Sequence, residues 1–267
     1  MAAVNAAAAG TRTHSVRFYL VLLTLAVAIP LAGLSFYVSA RIAAAEREST
    51  EAVLLNNAGS LAAAVDQEID KHIAVAATLA HSKSLQDGNW PDFWQRAKAS
   101  LNELPDSWLV VLDPTGQVLL NTRLPPGRAL PHRPLFDTEQ RALRTHKPEV
   151  SDIVAGYGTH QLKSFAVVPV FRDGRIVYLI DITLSPERFV VLLQNQKYLK
   201  NWLAAIVDRS NHFVARLPDA EGTKLGQPAS KGWQSAIERN RSGVVYQVAT
   251  DGHRIIDGYP HTAYGWT

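Results

Sequence analysis

The chain has 267 residues, 47% apolar and 19% charged, with a formal net charge of +3 and no cysteine. Such a chain can bury one large core or two small ones, and it is not a disordered polymer. The missing cysteines exclude a disulfide framework, a thiolate metal site and a cysteine nucleophile, and no block of like charge marks a nucleic-acid arm.

Residues 18–40 (FYLVLLTLAVAIPLAGLSFYVSA) carry no charge. At 1.5 Å per residue they cross a ~30 Å hydrocarbon layer as a helix. Pro30 and Gly33 are tolerated in such a span, and Tyr19 and Tyr37 sit near its ends, where aromatic belts lie. Val38-Ser39-Ala40 would suit signal-peptide cleavage. The apolar run nevertheless exceeds the ~7–15 residues usual for a signal peptide, so a retained anchor is expected. Arg12 and Arg17 before the span balance Arg41 and Arg47 after it, so charge alone does not orient it. A cytoplasmic tail over 1–17, with everything after residue 40 outside, is the economical arrangement.

Residues 41–84 read as a stalk helix. Leu54, Ala58, Leu61, Val65, Ile69, His72, Ala76 and Leu79 recur every three or four positions and form one apolar stripe. Its alanine content allows close helix pairing, and a homodimer through this helix is expected. Asp87-Gly88-Asn89 ends the region as a turn, and Pro91 opens a short helix.

The pattern then changes to strands. Residues 108–112 and 118–120 flank Asp113-Pro114-Thr115-Gly116 as a hairpin, and residues 202–207 and 213–215 repeat that design around Asp208. A closing hairpin also occurs twice, at 165–171 with 176–184 and at 244–249 with 255–259, the latter turning at Asp251-Gly252. The fold class expected is therefore α+β: two tandem antiparallel-sheet modules, each with helices on one face, after the anchor and stalk. The first module covers 85–190 and the second 191–267. A linker helix from Pro186 to Lys200 would pack Phe189, Val190 and Leu193 back on the first sheet. The second module stops at Tyr264-Gly265-Trp266-Thr267, where a counterpart of strand 177–184 would begin, so a truncated module from a longer protein is expected.

This organisation resembles the double Cache periplasmic sensor regions of bacterial membrane receptors. The similarity runs over 41–267 and is carried by His132-Arg133-Pro134-Leu135-Phe136, Val150-Ser151-Asp152, the strand 165–170 and the strand 177–184. Val207-Asp208-Arg209, Leu225-Gly226 and Gly265-Trp266-Thr267 are similar to regions preceding HWE-type sensor histidine kinases. The resemblance implies a PAS-like fold in the bacterial inner membrane, and a ligand pocket in the membrane-distal module between its sheet and the loops 123–157. It also implies that Arg133 and Tyr157 hold a ligand carboxylate and Asp181 an amine. Phe136 and Phe165 would wall the pocket. The family's tryptophan after the arginine is Leu135 here, which leaves a small carboxylate, an amine or an amino acid as the ligand class. The residue chemistry agrees, since a guanidinium matches a carboxylate and a carboxylate accepts from an ammonium. Asp181 also interrupts an apolar strand, where an unpaired charge would be costly.

No catalytic constellation stands out. Glu221-Gly222-Thr223-Lys224 lacks the spacing of a phosphate loop, no Gly-x-Ser-x-Gly elbow occurs, and the nine histidines have no metal-ligand spacing. No metal, cofactor or enzyme activity is expected in these residues. His132 and His160 are candidates for a pocket lining, and Trp108, Trp202 and Trp266 read as core. The loop 217–232 has few apolar residues, so the second module is expected to be a spacer without a pocket. The readings in order are a ligand sensor feeding a histidine kinase, a diguanylate cyclase or a chemoreceptor; a structural or assembly module; and a membrane-anchored enzyme.

Overall fold

The structure is a computed structural model that describes residues 15–157, 161–196, 202–219, 224–248 and 254–267. Arg12, His160, Lys200, the Glu221-Gly222-Thr223 stretch and the Asp251-Gly252 turn lie outside those residues. The chain divides into two compact units, residues 1–53 and 54–267.

The helix α1 (Val16–Ala80) begins in the first unit, runs without interruption and carries Pro30 inside it. Its apolar residues here, Leu20 to Val38 among them, are exposed, and the helix is long and apolar enough to cross a membrane. Residues 18–40 and 41–80 thus belong to one helix.

In the second unit the rest of α1 buries Leu61, Val65, Ile69, His72, Ala76 and Leu79, most of the stripe that the spacing marks out. A short α2 (Lys83–Gln86) and α3 (Trp90–Ser100) follow. Asn89 caps α3, its Oδ1 accepting the Asp92 N–H at 3.3 Å, and Pro91 stands in the first turn where no donor is needed.

The first sheet is built from β1 (Leu109–Leu112), β2 (Val118–Asn121), β3 (Glu149–Val150), β4 (Val154–Ala155), β5 (Leu162–Arg172) and β6 (Arg175–Leu184). Its order is β2-β1-β6-β5-β3, with β4 also on β5, and every pairing is antiparallel. Asp173 and Gly174, both at positive φ, make the tight turn between β5 and β6. Strand alternation then sorts the side chains. Val168, Ile180, Ile182 and Leu184 share a core with α1 and α3. Phe165, Val167 and Leu179 point the other way and pack with Ala142 of α4 (Asp137–Thr145). Helices therefore flank both faces, not one as expected, because β5 and β6 are apolar on both sides.

The second module holds α5 (Pro186–Asn195), β7 (Ala204–Val207), β8 (Phe213–Leu217), α6 (Lys231–Ile237), β9 (Ser242–Val248) and β10 (Arg254–Pro260). β7 pairs only with β8, and β9 only with β10, among the described residues, giving two separate ladders. The helix α5 buries Phe189 and Leu193 as expected of its apolar face, but it lies mainly on β8 and β7, not on the first sheet. The reason is Trp266. This fully buried ring sits 5.3 Å from Phe189 (centroid to centroid) and supplies the apolar surface that α5 covers.

Two polar seams hold this unit together. Asp208 accepts the N–H of Ile153 through Oδ2 (2.9 Å) and of His212 through Oδ1 (2.8 Å), while Arg209 and Ser210 bind Asp152, tying the second module's first turn to the first module. Asp66 of α1 accepts the Ala263 N–H at 2.9 and 3.0 Å, and the Tyr264 hydroxyl donates to Asp70.

Candidate functional site

The outer face of the first sheet carries a buried charge cluster whose placement starts at a turn. Asp113 Oδ1 accepts from the N–H groups of Thr115 and Gln117 (2.9 and 3.0 Å) and shapes the β1–β2 turn. Gly116 in that turn has φ +97°, and a Cβ there would stand 2.1 Å from the Arg133 carbonyl oxygen. Only glycine permits this approach, and the Arg133 N–H donates to the Gly116 carbonyl at 3.0 Å. Arg133 is thereby pinned over the sheet.

From there its guanidinium donates through Nη1 to Glu139 Oε2 (2.9 Å) and through Nη2 to Glu139 Oε1 (2.6 Å), a two-pronged pair. Nη2 also reaches Asp181 Oδ2 at 3.3 Å. Glu139 stands in the first turn of α4 and accepts the Phe136 N–H at 2.7 Å, so one carboxylate caps the helix and clamps the arginine. The Arg133 guanidinium lies 4.7 Å from the centroid of the Phe136 ring, which packs on Phe165 at 5.4 Å. Four of the expected residues, Arg133, Phe136, Phe165 and Asp181, are thus brought together. Tyr157 is not among them; it is 56% exposed. Arg133 and Asp181 face each other directly, and Glu139, which the sequence reading did not single out, takes most of the guanidinium. An acidic residue three positions after a helix start was the signal that could have found it.

Asp181 is left in an uneven position. Oδ2 faces Arg133, while Oδ1 is buried without a hydrogen-bond donor among the described residues. Burial, followed by the neighbouring Glu139 carboxylate, pushes the Asp181 carboxyl well above the usual carboxylate range. Lys163 of β5 is also desolvated, which lowers its ammonium pKa, and Arg133 and Arg123 add to that effect while Asp181 opposes it. Lys163 Nζ and the Arg123 guanidinium both stack on Trp108, at 4.8 and 4.7 Å from its ring. Trp108, expected in the core, is thus a half-buried platform between two cations. These three line an open basin of about 850 Å³, with the hydroxyls of Thr122, Thr183 and Ser185 around it. His132 is exposed on a neighbouring loop.

A second, more apolar cavity of about 370 Å³ lies in the second module, away from the charge cluster. Leu54, Ala58, Leu61 and Val65 of α1 form one wall, and β7 and β10 form two others. This corrects the expectation of a module without a pocket. The apolar walls come from the helix and strands, distant in sequence from the polar loop on which that expectation rested. Trp202 and Trp233 line the cavity, while Trp266 is core. Among the described residues no group of His, Asp and Glu side chains is placed to hold a metal.

No protein-family description matches the sequence, and no curated protein does either. Solved structures do match the fold. The extracellular domain of the histidine kinase rpHK1S-Z16 superposes with a TM-score of 0.66 at 18% identity, over 84% of this chain and 93% of that one. The ligand-binding domain of the Pseudomonas fluorescens chemoreceptor CtaA, in complex with L-isoleucine, gives 0.59 at 13% identity over 83% and 91%. That of the Campylobacter jejuni chemoreceptor Tlp3, in complex with L-valine, gives 0.56 at 12% identity over 79% and 87%. The chain has the Cache-type fold of receptor sensory domains.

Proposed function

We propose that this chain is the ligand-sensing, extracytoplasmic region of a receptor in a bacterial inner membrane, with a histidine kinase as its output. In this reading α1 anchors the protein and pairs with its copy in a homodimer, and residues after 40 lie in the periplasm. The outer face of the first sheet binds a small carboxylate, amine or amino acid. The region itself performs no chemistry and needs no metal or cofactor.

The observation that carries this reading is the buried Asp181 Oδ1 without a donor among the described residues, on the sheet face that α4 and the loop before it cover. A buried acceptor left unmatched costs ~1–3 kcal/mol, so it marks a place where a donor from outside is favoured. A ligand ammonium would complete it. Lys163 and Arg123, beside Trp108, would hold a carboxylate, and Arg133, already clamped by Glu139, would position Asp181. Tyr157 would then be recruited from the surface only if its loop closes. The assembly-module reading draws support from the same cluster, because Glu139 already offsets the Arg133 charge and Asp181 contacts the same guanidinium without any ligand.

Calorimetry of the full chain in detergent, titrated with small acids, amines and amino acids, separates the two readings. The sensor reading expects saturable heat from at least one class and a tenfold or greater loss of affinity in Asp181→Asn and in Lys163→Gln. Unchanged affinity in both variants would move the site elsewhere; no heat from any class would favour the assembly module.

A further inference from the structure

The open basin of the first module is bordered by cations that the fold leaves uncompensated. Lys163 lies near the start of β5, Arg123 just after β2 and Lys98 in the last turn of α3, and all three line it. None of them forms an ion pair with a carboxylate among the described residues. Lys163 and Arg123 instead share one ring, their charged groups 4.8 and 4.7 Å from the centroid of Trp108. The ring attracts each cation but removes none of the repulsion between the two. Lys163 is also half-buried, which disfavours its charged form. A negative group between them relieves both penalties.

Two carboxylates border the basin as well, and neither meets these cations. Glu187 accepts the Ser185 hydroxyl in the first turn of α5, where the helix N-terminus favours negative charge. Asp106 is exposed in the turn before β1. The neutral groups add donors. Thr122 Oγ1 accepts the Leu109 N–H at 2.9 Å, which leaves its own proton to give. The Thr183 hydroxyl makes no hydrogen bond among the described residues, although Thr183 is buried.

The cations stand at two depths. Lys163 is the half-buried one, on the strand paired with that of Asp181, while Arg123 and Lys98 are exposed at the rim. A compact anion would answer one level only; two carboxylates joined by a short chain answer both. We infer that the basin takes a dicarboxylate, one carboxylate on Lys163 and the Thr183 hydroxyl, the other at the rim on Arg123 and Lys98. The inference rests on the reading of this face as the ligand site and narrows its ligand class to one. A ligand with an ammonium in place of either carboxylate would set like charges together, so the same residues that attract the dicarboxylate reject its amine counterpart.

The test uses three probes of one chain length: succinate, butyrate and γ-aminobutyrate, each titrated by calorimetry into the full chain in detergent near neutral pH. Succinate should bind about tenfold or more tighter than butyrate, and γ-aminobutyrate no tighter than butyrate. Arg123→Gln and Lys163→Gln should each shrink the succinate-to-butyrate ratio by roughly fivefold or more. Lys147→Gln, an exposed lysine outside the basin, should leave that ratio as in the parent. A variant that merely disturbs the fold would weaken both probes and spare the ratio. Equal affinity for succinate and butyrate would overturn the dicarboxylate class, as would a ratio unchanged in both basin variants, or tighter binding of γ-aminobutyrate or inorganic phosphate than of succinate. The sensor reading survives those results if any probe or amino acid binds saturably; heat from none of them would overturn both.

Discussion

The two modules use the same opening turn and hairpin, yet their later strands are arranged differently. In the first, β6 is a central strand with neighbours on both edges, and its alternation divides the interior into an apolar side toward α1 and a side that carries Asp181. In the second, β7 and β10 flank an apolar groove, and α5, Trp266 and the Asp66–Ala263 contacts hold the module to its surroundings. The comparison separates two uses of one architecture. The first sheet buries a charge cluster on the face it shares with α4, whereas the ladders of the second module border an apolar cavity.

The sharpest way to break that comparison is to remove the charge clamp. Arg133→Ala leaves Glu139, which is 0% exposed, and Asp181 as two buried carboxyl groups that have lost their ion-paired guanidinium. A loss of ~3–5 kcal/mol is expected in chemical denaturation of the first module's signal. A loss under ~1 kcal/mol would mean the face is wet and the clamp superficial.

The glycines of the two modules test stiffness directly. Gly116→Ala must push against a backbone oxygen at 2.1 Å from an unfavourable φ, with no flexible neighbour to yield. Gly258→Ala, in β10, meets Leu54 Cβ at 2.9 Å and its backbone carbon at 3.0 Å, an overpacking that costs ~1–3 kcal/mol. The expected order is a greater loss of Tm for Gly116→Ala, and the reverse order would make the second module the more rigid one.

A smaller effect is expected where the modules join. Asp208→Ala deprives the N–H groups of Ile153 and His212 of an acceptor, for ~1–3 kcal/mol. If the seam couples the modules, two unfolding transitions should separate in calorimetry where the parent shows one.

The mildest perturbation is pH. His72 in α1 is buried between the Glu68 carbonyl (2.7 Å) and Ser107 Oγ (3.1 Å), with the Glu68 carboxylate, Lys71 and Arg188 around it. Burial holds its imidazole below the ordinary value of 6.5, so the folded state takes up its proton less readily than the unfolded chain. Its contribution is complete above pH 6.5 and is lost as pH falls below it. Asp181 acts with the opposite sign, since its raised pKa favours the folded state as it protonates. The slope of Tm against pH should therefore be shallower below pH 6.5 in His72→Gln than in the parent; identical slopes would place His72 in contact with water.

Much of this was legible along the chain because it rests on local periodicity. The uncharged run 18–40, the α1 stripe from Leu61 to Leu79 and the four hairpins follow from spacing and turn chemistry, and the repeat of hairpins exposed two modules. Asp181 was conspicuous for a similar reason, as a charge inside an apolar strand. Tertiary structure alone decided the rest. That Glu139 closes on Arg133 depends on where the Gly116 turn sets the arginine, and that α5 turns to the second module depends on a tryptophan 77 positions beyond Phe189. The apolar cavity is walled by α1, β7 and β10, the first more than a hundred residues before the other two, so no short window of sequence contains it. Periodicity reports which face of an element is apolar; which other face meets it is settled only when distant elements pack and exclude water together.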